Sequence, residues 1–589
     1  MRKVLCWIGF IVAAVNSIPA AEVSTVPPRW LQPYAAKAGD EDLIFTPSGF
    51  DKPGKPAIAK GEEVARLRVT VRDAANGRPT FCRVNVVGAD GNFYQPQKTH
   101  LTPYSLTGTW PRTLAGNRPG KAPIRYLGRF FYSSGEFEIY VPPGAVRIEV
   151  WKGLEYFPAV QELTVAAKED RQVDLAVERG VSMAAAGYYS GDPHLHFKRE
   201  TAEDDRAILD LLEAEDVRYG AILCYNSPSS YDGRMAKQDI PQTYAGIGRK
   251  SIRRRGEYEI ISGQEYRSRH FGHTLVYLAD ELVQAGKVYD PNEWPVFAEA
   301  VRDIRKPKGT ERGIVFWAHG GYSQEIYADH VLNTADGMEL MQFGIYRSVG
   351  LEGWYKMMNI GVRFPAMGAS DYPACRKLAD CRTYVWDSLE PGIENWLHNM
   401  AAGRSFMTTG PLILLEVKPH GPGQYVTGLN RPGGVMYLWS ENNLKEVAVK
   451  ARVRSLVCPV THVDLIANGK VVKRLEVPGG DAKSKWVELQ TNLNIEDSKW
   501  IAASAYSLSK TGNPDGEAHT NAVWAYGKGR GPYNEADLKW LLAKLDRQLM
   551  LHEKREISVG KEQVLAYFQK AREKLLSLQK HQGFHVINP

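Results

Sequence analysis

Cysteine is scarce in this chain of 589 residues: there are six, and one of them, Cys6, sits inside an N-terminal apolar run. That excludes a disulfide-dense scaffold, so the fold has to rest on hydrophobic cores. Long apolar runs are missing as well. The N-terminal one, VLCWIGFIVAAV, is too short to span a bilayer comfortably, and stable membrane insertion is not expected. Nor is positive charge concentrated. The net charge is +7, and the densest basic tract is Arg253-Arg254-Arg255. Proteins that grip a phosphate backbone cluster their lysines and arginines, so a nucleic-acid partner is not implied. A modest preference for anionic substrates is compatible with the charge. There is no long internal repeat and no low-complexity tract. With 43% hydrophobic and 24% charged residues, the composition is that of an ordinary globular protein, which argues against bulk disorder.

What is present begins with the N-terminus. Arg2 and Lys3 precede the apolar run, and NSIPAAE follows with small residues for cleavage near Ala20 or Ala21. This layout predicts a secretory signal peptide over 1–21 and a secreted or periplasmic protein. Export permits disulfides. Five cysteines would remain, and CRKLADC makes Cys375 and Cys381 the best local pair.

Residues 22–61 are rich in Pro, Ala and Gly and read as an arm or linker. From 62 to 180, short alternating runs such as VARLRVTV and AVRIEVW, broken by turn residues, predict a β-sandwich. From 186 to 411, strands such as GAILCYN, YEIISGQEY and GIVFWAHGG alternate with helical patterns. TAEDDRAILDLLEAEDV, for example, opens with Thr201 and Asp204 in capping-box spacing. EWPVFAEAVRDIRK and GIENWLHNMAAG read as further helices, and the alternation predicts a largely parallel sheet, open or closed into a barrel. Residues 412–528 are strand-rich again and predict a second β-sandwich. The tail, 533–582, holds two amphipathic helical patterns that should pack on the body or on a partner.

Chemistry concentrates at the ends of the middle strands. In DPHLHF, His194 and His196 stand two apart, so in a strand both imidazoles aim to one side, as a metal corner needs. Glu265 ends the strand of SGQEY, and His273 opens the next, which returns it to the same rim if the two strands form a hairpin. His319 ends FWAHGG and Asp371 ends MGASDY. Ligand sites in α/β barrels and open α/β sheets lie at the C-terminal edge of the strands.

These motifs, in this order and with the closing AAGRSFMTTGP, resemble the PHP superfamily of metallohydrolases, and most closely its CehA/McbA type, over about 186–411. The N-terminal strands are similar to the transthyretin-like domains found beside secreted hydrolases. The resemblance implies a distorted (β/α)7 barrel with divalent metals. His194, His196, Glu265 and Asp371 would hold one metal, and Glu265 would bridge to a second held by His273 and His319. Asp192 would bond a ligand imidazole and fix its tautomer, and with Glu265 and Asp371 it would serve catalysis. His270 competes with His273, but only His273 stands in the Gly-His context. Two departures from the family concern a third metal. Cys224 and Tyr225 replace an Asp-His pair, and Pro373 stands where a histidine is expected. Two metals at most are therefore expected, with Zn, Mn or Fe suiting mixed imidazole and carboxylate ligands.

Arg267, Arg269, Tyr225, Asn226 and Gln342 lie where they could line a substrate pocket. Cys224 reads as packing rather than as a nucleophile. The expectation is a secreted hydrolase in which two cations share a hydroxide, acting on a small or anionic substrate. Phosphoester cleavage is slightly favoured over carbamate, amide or ester cleavage. The competing reading is a non-catalytic binding or scaffold protein, possibly glycan-binding, on a decayed barrel.

Overall fold

A computed structural model describes residues 61, 63–106, 129–226, 243–268, 270–283, 296–305, 312–342, 344–373, 377–387, 391–420, 424–428, 430–440, 445–478, 481–508, 514–527, 531–557 and 560–581. The expected signal peptide and all but the last residue of the expected arm lie outside them. The chain is multidomain and mostly β, with several sheets and a helical C-terminus.

The first nine strands are β1 (Ala65–Asp73), β2 (Cys82–Val87), β3 (Phe93–Tyr94), β4 (Phe131–Ser133), β5 (Glu136–Val141), β6 (Gly144–Trp151), β7 (Tyr156–Phe157), β8 (Ala159–Val165) and β9 (Asp170–Arg179). They form one sheet ordered β5-β1-β9-β7 and another ordered β3-β2-β6-β8, with β4 on β2. Period-two alternation sets the faces. Along β1, Ala65, Leu67, Val69 and Val71 are buried while the residues between them are not. They share one core with Val84, Ile148 and Val173 from both sheets. This unit is tied to the next by buried ion pairs. Arg83 and the Tyr132 hydroxyl both donate to Glu215, and Arg179 bonds Asp216.

The next strands are β10 (Tyr188–Leu195), β11 (Tyr219–Asn226), β12 (Gly248–Arg255), β13 (Tyr258–Ser268), β14 (Gly272–Tyr277), β15 (Ile314–Trp317), β16 (Gly337–Gln342), β17 (Ile345–Tyr346), β18 (Ala366–Gly368), β19 (Arg382–Trp386) and β20 (Ser405–Thr408). β10, β11 and β13 pair in parallel, and so do β15, β16 and β18. β14 lies antiparallel between β13 and β15. Six strands therefore point the same way and end at one rim. β19 returns antiparallel to β10, and the Thr383 hydroxyl ties it to the backbone of Gly368 on β18. The helix Ala202–Ala214 packs beside these strands through Ile208, Leu211 and Leu212, and Thr201 and Asp204 close its capping box as expected. Helix Ile393–Ala401 falls within the second helical pattern. The described part of EWPVFAEAVRDIRK forms only two single-turn helices, Phe297–Ala300 and Arg302–Arg305.

The hydrogen-bonded ladder does not stop at 411. β20 pairs with Pro514–Thr520, so the C-terminal strands continue the sheet. A separate three-stranded sheet (Leu412–Pro419, Glu446–Arg454, Val487–Asn494) shares a core with them, including Val449, Ala451, Leu465 and Ala503. The two C-terminal helices, Glu535–Lys554 and Lys561–His581, bury Leu538, Leu541, Phe568 and Leu575 in the same core as Trp317 and Trp354. They pack on the body. Among the described residues no helix is long and apolar enough to cross a membrane. Cys375 lies outside the described residues. Cys381 is buried, and its sulfur accepts the Gly344 amide at 3.1 Å.

Candidate metal centre

Backbone contacts bring the first ligand pair to its position. Asp192, within β10, accepts the amides of His194, Ser370 and Ala379 at 3.0–3.3 Å. The His196 amide donates to the Tyr372 carbonyl at 2.8 Å. The His-x-His segment is thus stapled to the segment that carries Asp371. This corrects the expectation for Asp192: its carboxylate serves backbone amides, not an imidazole. Burial pushes that carboxyl up to about 6 even though the Ser370 side chain and the amides of Ser370 and His194 oppose the shift.

Glu265 is fully buried on β13, and β14 returns antiparallel beside it, with Arg267 opposite His273. His319 follows β15 in a turn where His319, Gly320, Gly321 and Tyr322 all have left-handed backbone angles. Asp371 is also left-handed, at φ 53°. Such angles are costly for non-glycine residues and cluster where function demands them. Gly320 cannot be replaced freely, because a Cβ there would lie 2.5 Å from the Arg347 carbonyl oxygen.

The side chains converge. His194 Nε2 and His196 Nε2 are 3.0 Å apart. Asp371 Oδ1 lies 3.5 Å from the former and 3.1 Å from the latter. Glu265 Oε2 lies 3.7 and 3.3 Å from the same two atoms. The other carboxylate oxygens face the opposite side: Glu265 Oε1 is 3.8 Å and Asp371 Oδ2 is 3.5 Å from His319 Nε2. Two groups of donor atoms lie within 4.8 Å of one another, His194–Glu265–His319 and His194–His196–Asp371. His273 stands outside both groups. Its Nδ1 is hydrogen-bonded to Glu265 Oε1 at 2.8 Å, and burial lowers its pKa to about 4.

This donor set fits a cation. His196 Nδ1 faces the Leu223 carbonyl at 2.9 Å, and His194 Nδ1 faces the Glu339 carboxylate at 3.0 Å. Both partners only accept, so both Nδ1 atoms carry the proton and both Nε2 atoms are lone pairs when the rings are neutral. Two lone pairs at 3.0 Å, ringed by carboxylate oxygens, repel unless a cation or added protons lie among them. His319 Nε2 is likewise buried and makes no hydrogen bond. The field is strongly negative. Burial alone would lower His194 and His196, yet the carboxylates of Glu339, Asp371 and Glu265 raise His194 well above the usual imidazole range, and those of Asp371 and Glu265 raise His196. Conversely, Arg267 and the imidazoles outweigh burial and hold Glu265 well below the usual carboxylate range; the imidazoles do the same for Asp371.

The remaining anticipated residues divide. Arg267 donates from Nε and Nη2 to Glu265 Oε2 at 3.0 and 2.6 Å, so it braces a ligand. Gln342 is fully buried, and its amide donates to Asp371 Oδ2 at 3.2 Å. It positions a ligand and is not a pocket wall, which corrects its expected role. The backbones of Tyr225 and Asn226 pair with Glu265 and Tyr266, but their side chains, like all of Arg269, lie outside the described residues. Burial pushes the Cys224 thiol up to about 12, and it donates to the Gly263 carbonyl, as packing requires.

Two residues went unanticipated. Glu339, fully buried on β16, receives His194 Nδ1 and also the His319 amide at 2.8 Å. The available signal was a lone carboxylate inside the apolar run GMELM. The Tyr322 hydroxyl contacts His319 Nδ1, and nothing in the sequence marks it beyond its closeness to the histidine. Scans of the chain against protein-family models, curated proteins and solved structures found no match.

Proposed function

We propose that the chain is a secreted or periplasmic metal-dependent hydrolase of PHP type. Its middle strands would form a distorted (β/α)7 barrel between two β-sandwich domains, with the helical tail packed on the body. The observation that carries this reading is the convergence of metal-ligand-type atoms from His194, His196, Glu265, His319 and Asp371, three of these residues buried and the other two largely so, on one point of the strand rim.

His194, His196 and Asp371 would hold one divalent cation, and Glu265 with His319 a second, with His273 bracing the Glu265 oxygen that faces it. Glu265 and Asp371 each turn one oxygen to either side, the arrangement a shared pair of cations needs. Bound Zn, Mn or Fe would supply Lewis acidity that makes water a nucleophile near neutral pH. The chain itself supplies fixed ligand geometry through Glu339, Gln342 and Asp192. Arg267 is engaged by Glu265, so the slight preference for a phosphoester over a carbamate, amide or ester rests on the chain's net charge of +7.

The test is elemental analysis of the full chain purified without chelators, followed by turnover assays with phosphomonoesters, phosphodiesters, esters and carbamates under Zn, Mn and Fe. Bound metal with metal-dependent turnover is the expected result. Metal-free protein with no turnover would overturn the reading in favour of a binding or scaffold role.

A further inference from the structure

The same strands have another end. A cavity of about 590 Å³ is lined by residues that immediately precede β15, β16, β18 and β20, among them Arg312, Asp336 and Arg363. β15, β16 and β18 lead away from it toward His319, Gln342 and Asp371, so cavity and metal centre lie at opposite ends of the strands. The C-terminal sheet closes the cavity with Trp524, and the last helix with Lys574.

We propose that this cavity binds a small organic polyanion, a molecule carrying two or more phosphate or carboxylate groups, independently of the metal centre. Four basic side chains line it, Arg312, Arg363, Arg404 and Lys574, against a single carboxylate, Asp336. That carboxylate is already saturated. It takes Arg305 at 2.6 Å, Arg312 at 2.7 and 3.2 Å, and the Val315 amide at 2.9 Å. Its charge is spent on two arginines, Arg305 and Arg312, so it does not neutralise Arg363 and Arg404 as well. Phe364, Pro365 and Trp524 give the cavity an apolar wall, which suits an organic anion better than a bare inorganic one.

The walls are held firmly enough for a preformed site. The Asn521 amide bonds both backbone groups of Ala366 at 2.8 Å and the Ser405 hydroxyl at 2.8 Å. That clamp joins the C-terminal sheet to β18 and β20. Gly433, at φ +77°, packs so closely on the Ala402–Gly403 turn that a Cβ would lie 2.4 Å from the Ala402 carbonyl oxygen. The volume falls within the range of small-molecule sites, about 300–1,000 Å³.

The test is calorimetric titration of the full chain with pyrophosphate and with citrate, using glucose as the neutral control. Anions also bind metal centres, so Asp371→Asn and Glu265→Gln serve as backgrounds in which that route is crippled. Binding of either anion should persist in both backgrounds and weaken at least about tenfold in Arg363→Ala/Arg404→Ala, since each charge-assisted contact is worth about that much. Arg363→Lys/Arg404→Lys should retain most of it. The stronger of the two probes identifies the phosphate or carboxylate class. Loss of binding in Asp371→Asn with retention in Arg363→Ala/Arg404→Ala would overturn the proposal, as would binding of neither anion.

Discussion

At the strand rim, His194 and His196 are wrapped by the carboxylates of Glu265, Glu339 and Asp371, and both are raised above the usual imidazole range. Elsewhere in the interior, His330 meets the Met357 carbonyl and the Phe364 ring, and His519 meets the Thr520 carbonyl and the Tyr355 hydroxyl. Burial lowers both of these to about 4. All four rings are largely or wholly buried, so burial does not separate them. What separates these four is whether carboxylates face the ring nitrogens, which suits the rim pair to a cation and the interior pair to packing.

The strongest way to break this contrast is to remove a rim carboxylate. Glu265→Gln or Asp371→Asn keeps the shape but removes charge that cations need. Bound metal and turnover should fall together, turnover by at least about a hundredfold, the upper end of what even indirect supports of a metal ligand cost. His519→Gln should leave the metal content unchanged. Elemental analysis beside initial rates checks both, and full activity in Glu265→Gln would sink its bridging role.

Acid sharpens the contrast from the other side. His519 titrates near 4 in the folded chain and near 6.5 unfolded, so between those values the unfolded chain binds more protons. The stability associated with a neutral His519 is therefore complete above about pH 6.5 and is lost as pH falls toward 4. From pH 7.5 to 4.5 the loss is about 2–3 kcal/mol for this one ring. Asp192 and Asp329, each raised to about 6 by burial, act with the opposite sign over the same window. Only a difference is informative. The destabilisation caused by His519→Gln, measured by denaturant unfolding, should shrink by that amount at the lower pH, and a pH-independent penalty would contradict it.

Glu339→Gln tests the support behind the rim. One oxygen holds His194 Nδ1 and the other holds the His319 amide, so one side chain orients ligands from both groups. Metal affinity should drop about 10–100-fold while the melting profile of the apo-protein changes little. Affinity equal to that of the unaltered chain would assign Glu339 to packing alone.

The candidate ligands were legible in sequence because His194, His319 and Asp371 lie at or just beyond strand ends and Glu265 lies near one, where period-two geometry and chain direction fix the side each faces. Glu339 was not, since it sits mid-strand and its role depends on β10 and β16 being brought across the rim. Asp192 and Gln342 were located but misread. Sequence parity does not reveal that one carboxylate turns to backbone amides or that an amide is buried against Asp371. The alternation of strands and helices was equally plain, but a boundary at 411 could not show that β20 pairs with a strand about a hundred residues further on. Partnerships between distant segments leave no local periodicity.

The smallest expected effect, and the finest test of the rim, concerns Tyr322. Its hydroxyl contacts His319 Nδ1, and either atom can carry the shared proton. If the ring donates, Nε2 is a lone pair available to a cation. If the phenol donates, Nε2 carries the hydrogen and cannot ligate. A cation on that side requires Nε2 to present its lone pair, so a ligating His319 donates from Nδ1 and Tyr322 accepts. Tyr322→Phe then removes an acceptor from Nδ1–H and weakens the preference for the ligating tautomer. One net hydrogen bond is worth about 0.5–1.5 kcal/mol, so affinity for the cation on the His319 side should fall about two- to tenfold, with that on the His196 side unchanged. Competitive metal titration resolves the two steps. Tighter binding in Tyr322→Phe would show that the phenol donates, and would remove His319 from the ligand set in the unaltered chain.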